Sequence, residues 1–144
     1  MLTERHRIET PKPATPKAVA KVFTELVKHF KWNGLVGCGF PAIIKNGVAN
    51  SAANIDKKWL GINVEELLSE ASGCKVFVRN DADVAGIAEM AIGAGKEKKG
   101  TVMFLTIGTG IGSALFLDGQ LVPCLLYTSP SPRDATLSRM PSSA

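Results

Sequence analysis

Two short stretches carry residue types that could do chemistry. The first is Val76-Phe77-Val78-Arg79-Asn80-Asp81-Ala82-Asp83, an apolar β-prone run that ends in an Asn-Asp pair where a helical pattern begins. A carboxylate at a strand-to-helix turn of an α/β sheet lies at the carboxyl edge, where such sheets hold ligands. Asp81 is therefore the first candidate for chemistry. Asn and Asp are also favoured helix caps, and that plain structural role stays open. The second stretch is Gly108-Thr109-Gly110-Ile111-Gly112-Ser113. Glycines at 108, 110 and 112 let the backbone approach a ligand and aim amide hydrogens at phosphate oxygens, with hydroxyls from Thr109 or Ser113 as further donors. The spacing is not the dinucleotide pattern, and no lysine follows as in a P-loop. A glycine-rich hairpin is the competing explanation.

The elements that must position these stretches can be read in order. Leu2 to Thr10 alternates weakly, as an edge strand could, and Pro11, Pro13 and Pro16 then punctuate a loop. Thr15 before Pro16 is a helix start, and Val19, Val22, Phe23, Leu26, Val27 and Phe30 fall in the i, i+3, i+4, i+7 rhythm of one buried face. Asn33-Gly34 stops this helix, and Leu35 to Phe40 reads as a buried strand. Strand, helix and strand in succession begin a parallel sheet. Pro41 to Lys58 has little apolar periodicity and reads as a long loop. Its amides and lysines suit hydroxyls and anions, and equally suit solvated turns.

Asn63 followed by Glu66 predicts a capped helix that runs to about Ser72 and ends at Gly73. Lys75 to Arg79 is then the strand that delivers Asn80-Asp81. Ala82 to Ala94 is helical and rich in small residues, with Val84, Ile87, Ala88, Ala91 and Ile92 expected toward the core. Gly95 to Gly100 is a polar hinge. Thr101 to Ile107 is a strand leading into the glycines, and Ala114 to Leu117 is another before an Asp118-Gly119 hairpin turn.

Composition sets wider bounds. The chain has 144 residues, 45% of them apolar and 21% charged, an ordinary soluble mixture. A formal net charge of +4 is too mild to argue for nucleic acid. Three cysteines without zinc-ligand spacing or an even framework suit a reducing compartment. With no signal-peptide pattern and no long apolar run, a cytoplasmic protein without membrane contact is expected.

Residues 124–144 form a separate text, rich in Ser and Pro and without periodicity. Back-translated in one frame, Cys124 to Asp134 resembles a common sequencing adapter, and Ser138 to Ala144 resembles its downstream primer site. Ala135 to Leu137 leaves room for a sample index between them. The stretch is set aside as a non-native, adapter-like tail, against the alternative of a flexible Ser/Pro tail.

The two chemical stretches together resemble the ROK family of sugar kinases and repressors, whose members share the actin-like ATPase (ribonuclease H-like) fold. Val36 to Ala42, Asn46-Gly47-Val48, Ala52 to Trp59 and Gly108 to Leu117 are most similar to the polyphosphate-using glucose kinases of that family. The resemblance implies an α/β fold with residues 1–98 as most of an N-terminal lobe and 99–123 as the first hairpin of a C-terminal lobe. It assigns Asp81 as the general base that takes the proton of the sugar 6-hydroxyl. Asn80 and Asn54 become sugar-binding residues, and Gly108, Thr109, Gly110 and Gly112 become the phosphate-binding loop. The donor would be polyphosphate or ATP with Mg2+, no metal would be held by the chain itself, and the full-length protein would be a homodimer.

The family also carries an Asp-x-Gly-Gly turn upstream and a Glu-x-Gly-His segment just beyond the position of Pro123. Neither is in this text, so the fragment as written is expected to be inactive. Lys45, Lys57, Lys58, Lys96, Lys98 and Lys99 could help to hold a polyanion, though solvated lysines explain them as well. The alternatives are an ATP-dependent glucokinase, mannokinase or fructokinase of the same family, or a non-catalytic sugar-sensing repressor.

Overall fold

The computed structural model describes residues 4–52, 55–108 and 111–122. They group into two compact units that divide between Asp81 and Ala82.

The first unit is built on a parallel pair of strands. Helix α1, Pro16–His29, starts where Thr15 leaves extended backbone and its Oγ1 accepts the Ala18 N–H at 3.3 Å, with Pro16 in the first turn. Lys28 and His29 occupy its last turn, where positive groups complement the exposed carbonyls. Strand β1, Val36–Phe40, follows the Asn33-Gly34 stop as expected. After an intervening segment, helix α2, Val64–Ser72, begins with Asn63 Oδ1 accepting the Glu66 N–H at 3.2 Å and ends at Gly73 in the left-handed region, φ 73°. Strand β4, Val76–Asn80, returns parallel to β1 in a register running from Val36 opposite Val76 to Phe40 opposite Asn80. Along β4, Val76, Val78 and Asn80 are buried while Phe77 and Arg79 are exposed. One face of the pair thus packs under α1 and α2, in a core centred on Phe40, Trp59, Val64, Leu68 and Val78. Thr24 Oγ1 ties the two helices together, donating to Ala20 O at 2.9 Å or to Ala71 O at 3.0 Å.

Two expectations are corrected here. Residues 4–10 form no strand. Glu4, Arg5, His6 and Arg7 offer little to bury, and His6 instead stacks on His29 with ring centroids 3.8 Å apart. The parallel partner of β1 is β4, reached through α2. The segment 41–58 is also not a plain loop. It folds into a short antiparallel hairpin, β2 at Ile44–Lys45 and β3 at Val48–Ala49, turned by Asn46 and Gly47 with φ of 51° and 78°. Positive φ at both turn positions gives the twist that two-residue hairpins need. The base is closed by Asn50 N–H to Ile43 O at 2.7 Å and by Ile43 N–H to Ser51 Oγ at 2.9 Å. A single 3-10 turn at Lys57–Trp59 then drops the Trp59 indole into the core. There its Nε1 donates to Ala14 O at 2.9 Å and its ring meets Phe40 edge-on at 4.7 Å.

In the second unit, helix α3, Asp81–Ile92, runs on directly from β4 with its first residue belonging to the first unit. Strands β5, Thr101–Ile107, and β6, Ile111–Leu117, form an antiparallel hairpin, and β7, Gln120–Leu121, adds a short third strand after the Asp118-Gly119 turn. The buried positions of α3 are Ala82 and Gly86, and the expected core residues Val84, Ile87, Ala88, Ala91 and Ile92 are exposed instead. Size explains the reversal. A Cβ on Gly86 would lie 2.8 Å from the Phe116 ring and 3.0 Å from Ala114, so the helix approaches β6 along its smallest residues. Strand β6 also begins earlier than expected, at Ile111 rather than Ala114.

Candidate active site at the carboxyl end of β4

Strands β1 and β4 end opposite one another at Phe40 and Asn80, and the chain leaves the sheet at both places. This is the carboxyl edge of a parallel pair, the position where open α/β sheets hold ligands. Asn80 is only 7% exposed. Its Nδ2 donates to the Ala42 carbonyl at 3.1 Å, which binds the segment leaving β1 to the end of β4. A buried amide must find partners or cost about 1–3 kcal/mol, so this bond fixes the Asn80 side chain. Asp81 follows as the first residue of α3 and is exposed. A carboxylate at the start of a helix is favoured by the helix dipole, and Asp81 lies at the protein surface. One fixed polar residue and one exposed carboxylate are thus brought together at the same strand end.

The bonds that hold β4 itself were not legible in the sequence. Along the strand's outer edge, Val76 N–H donates to Ser69 Oγ at 3.0 Å and Val78 N–H donates to Glu65 Oε1 at 2.8 Å. Both acceptors come from α2, one turn apart. In the sequence Glu65 looks like any acid in the first turn of a helix, and only tertiary structure gives it a strand to bind.

The glycine stretch is divided. Gly108 is exposed at the end of β5. Thr109 and Gly110 lie outside the described residues, as does Asn54. Gly112 is not in the loop but within β6, opposite Thr106. A Cβ there would sit 2.5 Å from Thr106 Oγ1 and 3.0 Å from the Ala82 Cβ, so packing alone already demands glycine at this position. Gly108 and Gly112 belong to the second unit, Asn80 and Asp81 to the first.

The remaining candidates sort by exposure. Lys45, Lys57, Lys58, Lys96, Lys98 and Lys99 are all exposed. Burial pushes the Cys38 thiol above its ordinary range, the opposite of what a nucleophile needs. Among the described residues no group of three or more His, Cys, Asp or Glu side chains could hold a metal ion. None of the described helices is long and apolar enough to cross a membrane.

Comparison with known proteins places this geometry. The chain matches the ROK family over residues 1–123, ending one residue before the adapter-like text. It is 46% identical over 124 residues to the polyphosphate glucokinase of Mycobacterium tuberculosis, covering 85% of this chain and 47% of that protein. The crystal structure of the inorganic polyphosphate/ATP-glucomannokinase from Arthrobacter sp. strain KM superposes with a TM-score of 0.76 at 50% identity, over 85% of this chain and 51% of that one. A ROK family glucokinase from Streptomyces griseus shares the fold, with a TM-score of 0.71 at 24% identity over 85% of this chain and 39% of that one. The chain spans about half the length of the curated relatives it matches. Its mixed helix and strand architecture is that of the actin-like ATPase fold found in ROK sugar kinases. With the family match covering the whole of the described structure, the chain belongs to the ROK family.

Proposed function

We propose that the chain carries the base and sugar-facing part of a kinase that transfers a phosphoryl group from polyphosphate, and also from ATP, to the 6-hydroxyl of glucose. The observation that carries this reading is the pairing of a buried, anchored Asn80 with an exposed Asp81 at the carboxyl end of β4. In this reading Asp81 accepts the hydroxyl proton as the oxygen attacks the terminal phosphorus. Asn80, fixed through Ala42, contacts the sugar hydroxyls, and Asn54 adds a second polar contact. The backbone of Gly108, Thr109 and Gly110 supplies amide donors to the phosphates, and Gly112, within β6, leaves room for the approach of the donor. Phosphoryl transfer asks little covalent work of a protein and depends on positioning and charge stabilisation, so one carboxylate and a backbone cradle are an adequate set.

The described residues do not form a magnesium cage of their own. Mg2+ usually binds through donor phosphates, water and one or two carboxylates, so it enters this reading as part of the donor substrate. The choice of polyphosphate rests on the similarity to the mycobacterial and Arthrobacter enzymes, whose names specify that donor. The test is an assay of the protein, in the length its gene encodes, for glucose 6-phosphate formation with polyphosphate and with ATP separately. Turnover with both donors supports the proposal. Turnover with ATP alone restricts the donor, and turnover with neither removes the kinase reading.

A further inference from the structure

We propose that Glu65 is a positioning residue for Asn80 and Asp81, acting through the backbone of β4. The inference rests on the kinase reading above and extends it to a side chain that touches neither sugar nor phosphate.

Among the described residues, strand β4 has a strand partner, β1, along one edge only. Its other edge presents N–H groups that would need water or a further strand, and α2 satisfies two of them. Glu65 and Ser69 are four residues apart, so they lie on one face of the helix, and they reach the alternate N–H groups of Val78 and Val76. The two bonds are not equivalent in place. Val76 is four residues from Asn80, whereas Val78 is two, or roughly 7 Å along an extended strand. The Glu65 bond is therefore the nearer of the two braces to the candidate site. A carboxylate acceptor also makes a stronger bond than a hydroxyl.

Glu65 faces a second segment as well. A Cβ on Gly47 would lie 2.9 Å from Glu65 Oε2 and 2.8 Å from Asn63 Oδ1, and Gly47 itself has φ 78°. The β2–β3 hairpin is held against the start of α2 by Val64 N–H to Gly47 O at 2.8 Å. One carboxylate thus bonds the strand that ends in Asn80-Asp81 and occupies the space beside the Gly47 turn that a side chain there would need.

The experiment compares wild type, Glu65→Ala, Glu65→Gln, Glu65→Asp and Ser69→Ala in the protein as its gene encodes it. It measures kcat, KM for glucose and donor, thermal midpoint, and amide exchange across residues 76–81. A misplacement of about 1 Å can cost up to 10²-fold in rate, so Glu65→Ala is expected to lower kcat by roughly tenfold or more, with donor KM within about twofold. Exchange should rise at Val78 to Asp81. Glu65→Gln keeps an oxygen that accepts the same bond and should stay within about threefold of wild type. Glu65→Asp is one methylene short and should behave like Glu65→Ala, which keeps the test open if the alanine variant fails to fold. Ser69→Ala should lower the thermal midpoint with little change in kcat. Equal kcat in wild type and Glu65→Asp overturns the proposal. So does a parallel loss in Ser69→Ala and Glu65→Ala, which would make both bonds general braces. Should wild type show no kinase activity, the functional reading fails separately. Exchange at Val78 to Asp81 then decides whether Glu65 holds this strand end: a rise in Glu65→Ala with protection kept in Glu65→Gln supports it, and unchanged exchange overturns it.

Discussion

The end of β4 and the glycine stretch of the β5–β6 hairpin use opposite means to present polar groups. At β4 the polarity lies in side chains, and neighbours fix it in place: Asn80 by Ala42, and the strand by Glu65 and Ser69. In the glycine stretch the candidate phosphate donors are chiefly backbone amides, and at Gly112 the absence of a side chain is already required by Thr106 and Ala82. A buried, bonded amide beside an exposed carboxylate is a pair of polar side chains that close packing does not select. A glycine under a helix is the cheapest way to let that helix come close. The first region therefore argues for chemistry more strongly than the second, although both match the family's pattern.

The largest effect expected from this contrast is at Asp81. Asp81→Asn keeps the size and the helix position but removes the base, and general-base catalysis contributes about 10²–10⁴-fold. Turnover of glucose should fall by that range while glucose binding, measured by calorimetry, changes by about threefold or less. Near-normal turnover would remove Asp81 from the mechanism and leave it as a helix-start residue. Next is Gly86→Val. A β-branched side chain placed 2.8 Å from the Phe116 ring overpacks a site where Phe116 and Ala114 are 1% and 2% exposed. Overpacking costs about 1–3 kcal/mol, and valine brings too little helix propensity to offset it. A lowered urea midpoint is expected, and an unchanged one would show that α3 does not rest on β6 through Gly86. Asn80→Ala strands the Ala42 carbonyl and should cost about 1–2 kcal/mol of stability, together with a raised KM for glucose. A loss of stability without any change in KM would reduce Asn80 to a structural brace.

How far the sequence told this in advance depended on how local the cause was. Thr15 with Pro16, Asn63 with Glu66, and Gly73 act within one turn of chain, and each helix end is where those residues put it. The parallel strand at Val76–Asn80 was legible because an apolar, β-prone run stops at a polar pair. The β2–β3 hairpin was not, because strands of two residues are too short to alternate, even though Asn46-Gly47 is a hairpin turn signal. The face of α3 was misread because the helix is apolar on nearly every side, and periodicity has no direction to report in such a sequence. Small size at Ala82 and Gly86 decided it instead. Asp81 and Asn80 stood out as an Asn-Asp pair at a strand end, whereas Glu65 gave no signal at all. Its bond spans 13 residues of chain to a backbone N–H, and that partner exists only once the strand is in place.

The smallest effect expected is also the one that separates the two regions most sharply. Gly112→Ala places a methyl group 2.5 Å from Thr106 Oγ1, a contact that something must relieve. The likeness to a phosphate loop and the packing need both predict harm, so the single variant does not distinguish them. Adding Thr106→Ala does, since it removes the oxygen that the new methyl meets and leaves the Gly112 amide N–H intact. If glycine is needed there for packing, the double variant should regain at least half of the stability lost, out of about 1–2 kcal/mol. Its donor KM should then lie within about twofold of wild type. If stability returns but donor KM stays raised, the Cα of Gly112 itself lies against the phosphates. The hairpin would then rank with β4 as a region shaped by its ligand.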